Sequence, residues 1–216
     1  QVPEVYQDRE RPAALLDDFV RQMPRVGGLL LVAESGAGKT SLFCHTAAAW
    51  LTPGRENPLP LLISAKHLPG TVPAGTPDQR GRLGGLGGYL KGLLGLADVT
   101  DWEGLLDRLG AGLGRAPGSA GPRLALLLDA LNEAPDALAL LLEWDHVVGL
   151  ARRLTWMRCL ATIRKGSHET LLAHLAGLGI SWPSNDRAYV REPDDTGQPS
   201  VNVFIPRFSE REAEQA

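Results

Sequence analysis

The stretch "LLLVAESGAGKTSLF", residues 29–43, constrains this chain more than any other. An apolar run ends in a small glycine-rich turn, and helix-forming residues resume after Lys39 and Thr40. A short, unbroken apolar run is the pattern of a strand covered on both faces, as in a parallel sheet flanked by helices. A turn leading straight into a helix then fits the start of a strand–helix unit.

The same alternation continues along the chain. Residues 60–65, "PLLISA", 124–129, "LALLLD", and 158–164, "RCLATIR", read as further strands, the first two of them buried on both faces. "VNVFIPRF", residues 201–208, reads as a fifth strand with a proline near its end. Helices are predicted over residues 11–21, 39–51, 86–96, 102–113, 138–155 and 169–179. The first is marked by the spacing of Leu15, Leu16, Phe19 and Val20, and Gly149 marks an expected irregularity in the fifth. Ser167 is expected to cap the last helix and leave His168 exposed. The Gly- and Pro-rich segment 66–88 and the polar segment 181–200 read as loops or insertions, the second a loop or a mobile insertion. Strands alternating with helices imply an α/β fold around a parallel sheet with right-handed crossovers.

A length of 216 residues suits one sizeable domain, residues 1–216. The chain begins at Gln1 and ends in "SEREAEQA", which reads as the first turns of another helix, so it is expected to be a piece of a longer protein. The net charge is −3 with no dense Lys/Arg block, which argues against nucleic acid as a partner. No apolar run reaches the roughly 18–20 residues of a membrane span, so no membrane partner is expected. Cys44 and Cys159 lie in apolar surroundings and read as buried free thiols of a reducing, cytoplasmic compartment. His45, His67, His146, His168 and His174 show no recognised metal spacing. Trp50, Trp102, Trp144, Trp156 and Trp182 read as core or contact residues, and Arg152 and Arg153 as a solvated helix face.

"AESGAGKT" sits where the first strand ends and the first long helix begins, and it approximates the phosphate-binding pattern G-x-x-x-x-G-K-[S/T]. Backbone N–H groups of such a turn form an anion-binding concavity, and the helix N-terminus adds partial positive charge. The expected phosphate cradle is Glu34, Ser35, Gly36, Ala37, Gly38, Lys39, Thr40 and Ser41. Gly36 and Gly38 permit backbone conformations closed to other residues. Lys39 reaches the β- and γ-phosphates, and Thr40 offers a hydroxyl to Mg²⁺. Ala33 stands where the pattern has its first glycine, a position that needs a small residue.

"LALLLDALNEAPD" supplies the second half. Asp129 ends a buried strand, where an unpaired carboxylate is costly and a Mg²⁺ ion offsets that cost. Glu133 is the candidate to orient or deprotonate an attacking water, while the neutral Asn132 can position but cannot act as a base. "SAK" at residues 64–66 precedes the acidic strand and no N-K-x-D follows it, so adenine is preferred to guanine.

Together these segments resemble the nucleotide-binding domain of NACHT-type STAND P-loop ATPases. "AESGAGKTSL" is similar to that family's Walker A and "LLLDALNEAPD" to its extended Walker B. "CLATIR" resembles its sensor strand, which ends in an arginine, here Arg164. "VYQDRERPAALL" loosely matches the segment that contacts adenine in relatives, around Tyr6 and Arg9. "PRFSEREAEQA" resembles the exit toward the next subdomain. The resemblance implies a three-layer P-loop NTPase fold with a five-stranded, mostly parallel sheet in the order 5-1-4-3-2. It implies ATP/ADP and Mg²⁺ as cofactors, Thr40 and Asp129 at the metal, and Lys39, Asp129, Glu133 and Arg164 as the catalytic set. It further implies a bacterial signalling or defence switch with slow ATP hydrolysis, self-association in the ATP state, and sensor and effector domains outside this chain. Asn132 replaces the first of the family's paired acids, which supports the alternative of a nucleotide-stabilised scaffold without useful turnover.

Overall fold

The computed structural model describes residues 10–23, 25–52, 57–69, 83–113, 122–193 and 197–205. Tyr6, Arg9, most of the Gly- and Pro-rich segment and the exit segment from Pro206 onward lie outside them.

In chain order the elements are α1 (Glu10–Gln22), β1 (Gly28–Ala33), α2 (Lys39–Trp50), β2 (Leu59–Ser64), α3 (Gly85–Leu93), α4 (Trp102–Gly112), β3 (Leu124–Asp129), α5 (Ala137–Ala151), β4 (Met157–Arg164), α6 (Lys165–Gly177), β5 (Glu192–Pro193), β6 (Pro199–Ser200) and β7 (Asn202–Ile205). Five strands form one sheet in the order β2-β3-β4-β1-β7, and every pair in it is parallel. With β7 as the fifth expected strand, this is the order 5-1-4-3-2 read from the other edge. β5 and β6 make a separate antiparallel pair.

Side chains alternate across a strand, so each central strand feeds two cores. Leu30 and Val32 of β1 join a cluster with Leu126, Leu128, Trp102 and Trp144, under α3, α4 and α5. Leu29, Leu31 and Ala33 join Leu127, Leu160, Phe19, Phe43 and Trp50, under α1 and α2. The result is three layers, helix–sheet–helix, with β1, β3 and β4 covered on both faces. No helix among the described residues is long and apolar enough to cross a membrane.

Four local expectations are corrected. β2 was expected to be buried on both faces, but it is an edge strand with Leu59 51% and Leu62 40% exposed. The loop expected through residue 88 overlaps the helix expected from residue 86, and the structure decides for the helix, which begins at Gly85. Here the Glu143 carboxylate on α5 accepts the N–H groups of Gly84 at 2.7 Å, Leu86 at 3.0 Å and Gly87 at 3.0 Å, and the Trp102 indole N–H at 3.0 Å. One side chain from another helix thus satisfies donors that the first turn of α3 leaves open. α5 runs through Gly149 without a break. Cys159 is buried, whereas Cys44 is only half-buried; both are free thiols.

The expectation for α6 also changes. The helix begins at Lys165, directly after β4, so Ser167 lies inside its first turn and caps nothing. That rotates His168 inward, where it is 2% exposed and meets Trp182 edge-on at 5.4 Å between ring centres. Trp182 belongs to the segment expected as a loop or mobile insertion, and residues 182–190 are a loop tied down to the body of the domain. Asp145 accepts the Ser184 N–H at 2.9 Å and the Tyr189 hydroxyl at 3.0 Å. The Gly27 N–H donates to the Ala188 carbonyl at 2.8 Å, and the Val190 N–H to the Gly28 carbonyl at 2.9 Å. Burial and the Asp145 charge push the Tyr189 hydroxyl's pKa well above its ordinary value, keeping it a donor.

Burial holds the His168 ring down at a pKa of about 4, against 6.5 in a free chain. Between those values the unfolded chain binds the extra proton, so stability is fully present above about pH 6.5 and falls as the pH drops through 4. Between pH 7 and pH 4.5 the parent is expected to lose roughly 2 kcal/mol more than a His168→Phe variant. Urea midpoints of the two proteins at both pH values check this; parallel losses would remove His168 as the cause.

Candidate functional site

The register of the sheet brings three strand ends to one edge, with Asp129 at the level of Thr162, two residues short of Arg164. Ala33 of β1 pairs with Arg164 of β4, and Leu128, one residue before Asp129, pairs with Ala161 of β4. Ligands of open α/β sheets bind at this carboxyl edge, and the turn 34–38 runs over it into α2.

The turn is built as its glycines require. Gly36 has φ 76° and Gly38 φ 73°, both in the left-handed region that a Cβ disfavours. Gly38 is the residue on which α2 starts. Ala33 explains itself: it ends β1 in extended backbone, is 2% exposed, and its methyl joins the core under α1 and α2. Nothing at this position demands glycine.

Lys39 folds its ammonium onto the loop, donating to the Ala33 carbonyl at 3.1 Å and the Glu34 carbonyl at 2.8 Å. Burial pushes its pKa below the ordinary lysine value and the nearby Arg164 charge adds to that, while Asp129, Glu34 and Glu133 oppose it. The Thr40 hydroxyl donates to Asp129 Oδ2 at 2.7 Å, joining the two halves of the motif across 89 residues of sequence. Asp129 is 7% exposed. Its other oxygen, Oδ1, accepts the Thr162 hydroxyl at 2.7 Å.

Arg164 is exposed at the end of β4, and its guanidinium donates to the Ser35 hydroxyl at 3.1 Å. Its backbone N–H donates to Asn132 Oδ1 at 2.9 Å, so Asn132 joins the ends of β3 and β4. Glu133 is exposed in the short turn Leu131–Glu133, close enough for its charge to act on Lys39. Ala37 is buried under the turn, Glu34, Gly38 and Ser41 are half-buried, and Ser35 and Gly36 are exposed. Every expected site residue therefore lies on the turn, at the start of α2, or at the ends of β3 and β4. Arg152 and Arg153 lie apart, exposed after α5, with Arg153 paired to Glu103 at 3.1 Å.

Thr162 is the residue that sequence reading passed over. Its signal was a hydroxyl inside the apolar run of residues 159–163, two positions before the terminal arginine and on the same face.

The pair Thr40 Oγ1 and Asp129 Oδ2 supplies two hard oxygen donors, the kind that Mg²⁺ takes together with water and phosphate oxygens. The residues present fit that ion.

The sheet order, the left-handed glycine turn at its carboxyl edge and the hydroxyl–carboxylate pair define a three-layer α/β domain of the P-loop type. No protein-family model matches the sequence, and no curated protein matches it. Thirteen chains of solved structures resemble it in structure. Among them is the Orc1 protein of Aeropyrum pernix in complex with DNA, 16% identical with a TM-score of 0.48, the match covering 99% of this chain and 51% of that one. The chain thus spans about half the length of that protein. The class rests on sheet order and loop geometry rather than on that likeness. The expectation against nucleic acid rests on net charge alone.

Proposed function

We propose that this chain is the ATP/ADP-binding domain of a STAND-type switch of the NACHT kind, with slow ATP hydrolysis. The observation that carries the reading is the convergence of Lys39, Thr40 and Asp129 beside a left-handed glycine turn at the carboxyl edge of the sheet. The turn's N–H groups and the start of α2 attract phosphate. Lys39 exchanges its loop carbonyls for phosphate oxygens, and Arg164 leaves Ser35 for the terminal phosphate. Thr40 and Asp129 hold Mg²⁺, which neutralises phosphate charge. Glu133 orients or deprotonates the attacking water.

In this reading ADP favours a closed form, and exchange for ATP favours self-association. Adjoining sensor and effector regions supply the trigger and the output, within a bacterial cytoplasm. Turning a 1:99 equilibrium to 99:1 takes about 5.5 kcal/mol of differential binding, which nucleotide and trigger share.

A second reading has one observation behind it. Asn132 is neutral and its carbonyl oxygen is committed to the Arg164 N–H, so it adds positioning and no base. A nucleotide-stabilised scaffold would show that arrangement too. Single-turnover hydrolysis with trigger present separates the two. Glu133→Gln is expected to slow the parent's turnover at least about 100-fold, with ADP affinity unchanged by calorimetry. A parent that hydrolyses nothing, with Glu133→Gln indistinguishable from it, would leave the scaffold reading standing alone.

A further inference from the structure

Thr162 is fully buried in β4, where its hydroxyl has two partners. It donates to Asp129 Oδ1 at 2.7 Å and accepts the Ala130 N–H at 2.8 Å. We propose that Thr162 is a positioning residue of the nucleotide site, holding Asp129 so that Oδ2 faces Thr40 and the metal. The proposal rests on the nucleotide reading above.

A carboxylate turns about its last torsion with little preference, so its orientation is set by its partners. Asp129 has one donor on each oxygen, Thr162 on Oδ1 and Thr40 on Oδ2. Thr40 is itself to meet a metal, so only Thr162 remains as a fixed reference. Its hydroxyl sits on a β-branched side chain, which is stiff at its first torsion. The aspartate is 7% exposed, so water is a poor substitute for that donor.

The second partner fixes the backbone after the strand. Ala130 has φ 54°, the left-handed region, and is the one non-glycine residue there among the described residues. Such strain persists where surrounding structure holds it. The Thr162 hydroxyl takes up the Ala130 N–H, and the Glu133 N–H donates back to the Ala130 carbonyl at 2.7 Å. Thr162 therefore also sets how the chain departs toward Asn132 and Glu133. Two residues further along β4, Arg164 is held by Asn132 and reaches Ser35. The metal side and the arginine side of the site thus share one buried hydroxyl.

The test measures the affinity of the protein for a non-hydrolysable ATP analogue by calorimetry, in Mg²⁺ and in EDTA, for parent, Thr162→Val and Thr162→Ser. Valine keeps the shape and removes both hydrogen bonds; serine keeps the hydroxyl. Thr162→Val is expected to lose at least about fivefold of the Mg²⁺-dependent gain while staying within about twofold of the parent in EDTA, and Thr162→Ser to keep the gain within about twofold. An undiminished gain in Thr162→Val, or equal losses in Mg²⁺ and EDTA, overturns the proposal and leaves the nucleotide reading intact. Loss of the gain in Thr162→Ser also overturns it. Should the valine variant fail to fold, Thr162→Cys replaces it: the weaker thiol donor is expected to reduce the gain, and an unchanged gain overturns the proposal. A parent that binds the analogue equally with and without Mg²⁺ overturns the proposal and leaves the nucleotide reading intact. A parent that binds no nucleotide overturns both readings.

Discussion

Lys39→Ala is expected to weaken ADP binding about 100-fold, or about 3 kcal/mol. Charge-assisted hydrogen bonds to phosphate oxygens are among the stronger polar contacts, at about 1.5–3 kcal/mol each. Lys39 is the cation that opens α2 directly after the turn, half-buried and anchored on the Ala33 and Glu34 carbonyls. Its partial burial has already removed some of its hydration, and the neighbouring Arg164 charge adds a second cation facing the same place, so phosphate gains a cation ready for contact. The same two carbonyls line a half-buried turn that water reaches, so without nucleotide the variant is expected to melt within a few degrees of the parent. Calorimetry with ADP, beside a thermal melt without it, checks both parts. An ADP affinity unchanged from the parent would count against the site.

Glu143→Ala is expected to destabilise the fold by about 3 kcal/mol without touching the site. In a domain of this size that lowers the melting temperature by about 6–12 °C. The carboxylate serves four donors at once, three backbone N–H groups at the start of α3 and the buried Trp102 indole. Burial raises its pKa while those four hydrogen bonds pull it back, so the group is held by its partners rather than by solvent. Removing it leaves those N–H groups to find water in a partly buried position, at about 1–3 kcal/mol for each one that fails. Glu143 also fills the space that a side chain at Gly84 would occupy. ADP affinity is expected to stay at the parent value, because α3 and α4 pack on the far side of β3 from α2. A melt with the parent's midpoint would show that α3 does not depend on this clamp.

Much of the fold was legible in the sequence because its signals are local. β1, β2 and β3 announce themselves as apolar runs, β4 and β7 as apolar stretches interrupted by polar residues, and the helices as spaced ones. Where reading failed, the deciding contact lay outside the window. Leu62 looks like a core residue in "PLLISA", and only the place of β2 at the sheet edge exposes it. His168 follows a serine that resembles a cap, yet β4 passes into α6 without a loop and turns the ring inward. The polar run after residue 181 resembles a loop or mobile insertion, and Asp145, 39 residues before Ser184, ties it down.

The sequence by itself determined the phosphate-type turn, because the conformations at Gly36 and Gly38 follow from residue type, and Lys39 and Thr40 follow from spacing. It also determined that Asp129 ends a buried strand. Only the tertiary structure decided that Ala33 needs no glycine, since that depends on a methyl seated in the core under α1 and α2. Only it joined Thr40 to Asp129 and placed Thr162 behind that pair, because strand order, not strand pattern, decides which side chains become neighbours. A hydrogen bond between residues 89 apart has no periodicity to betray it.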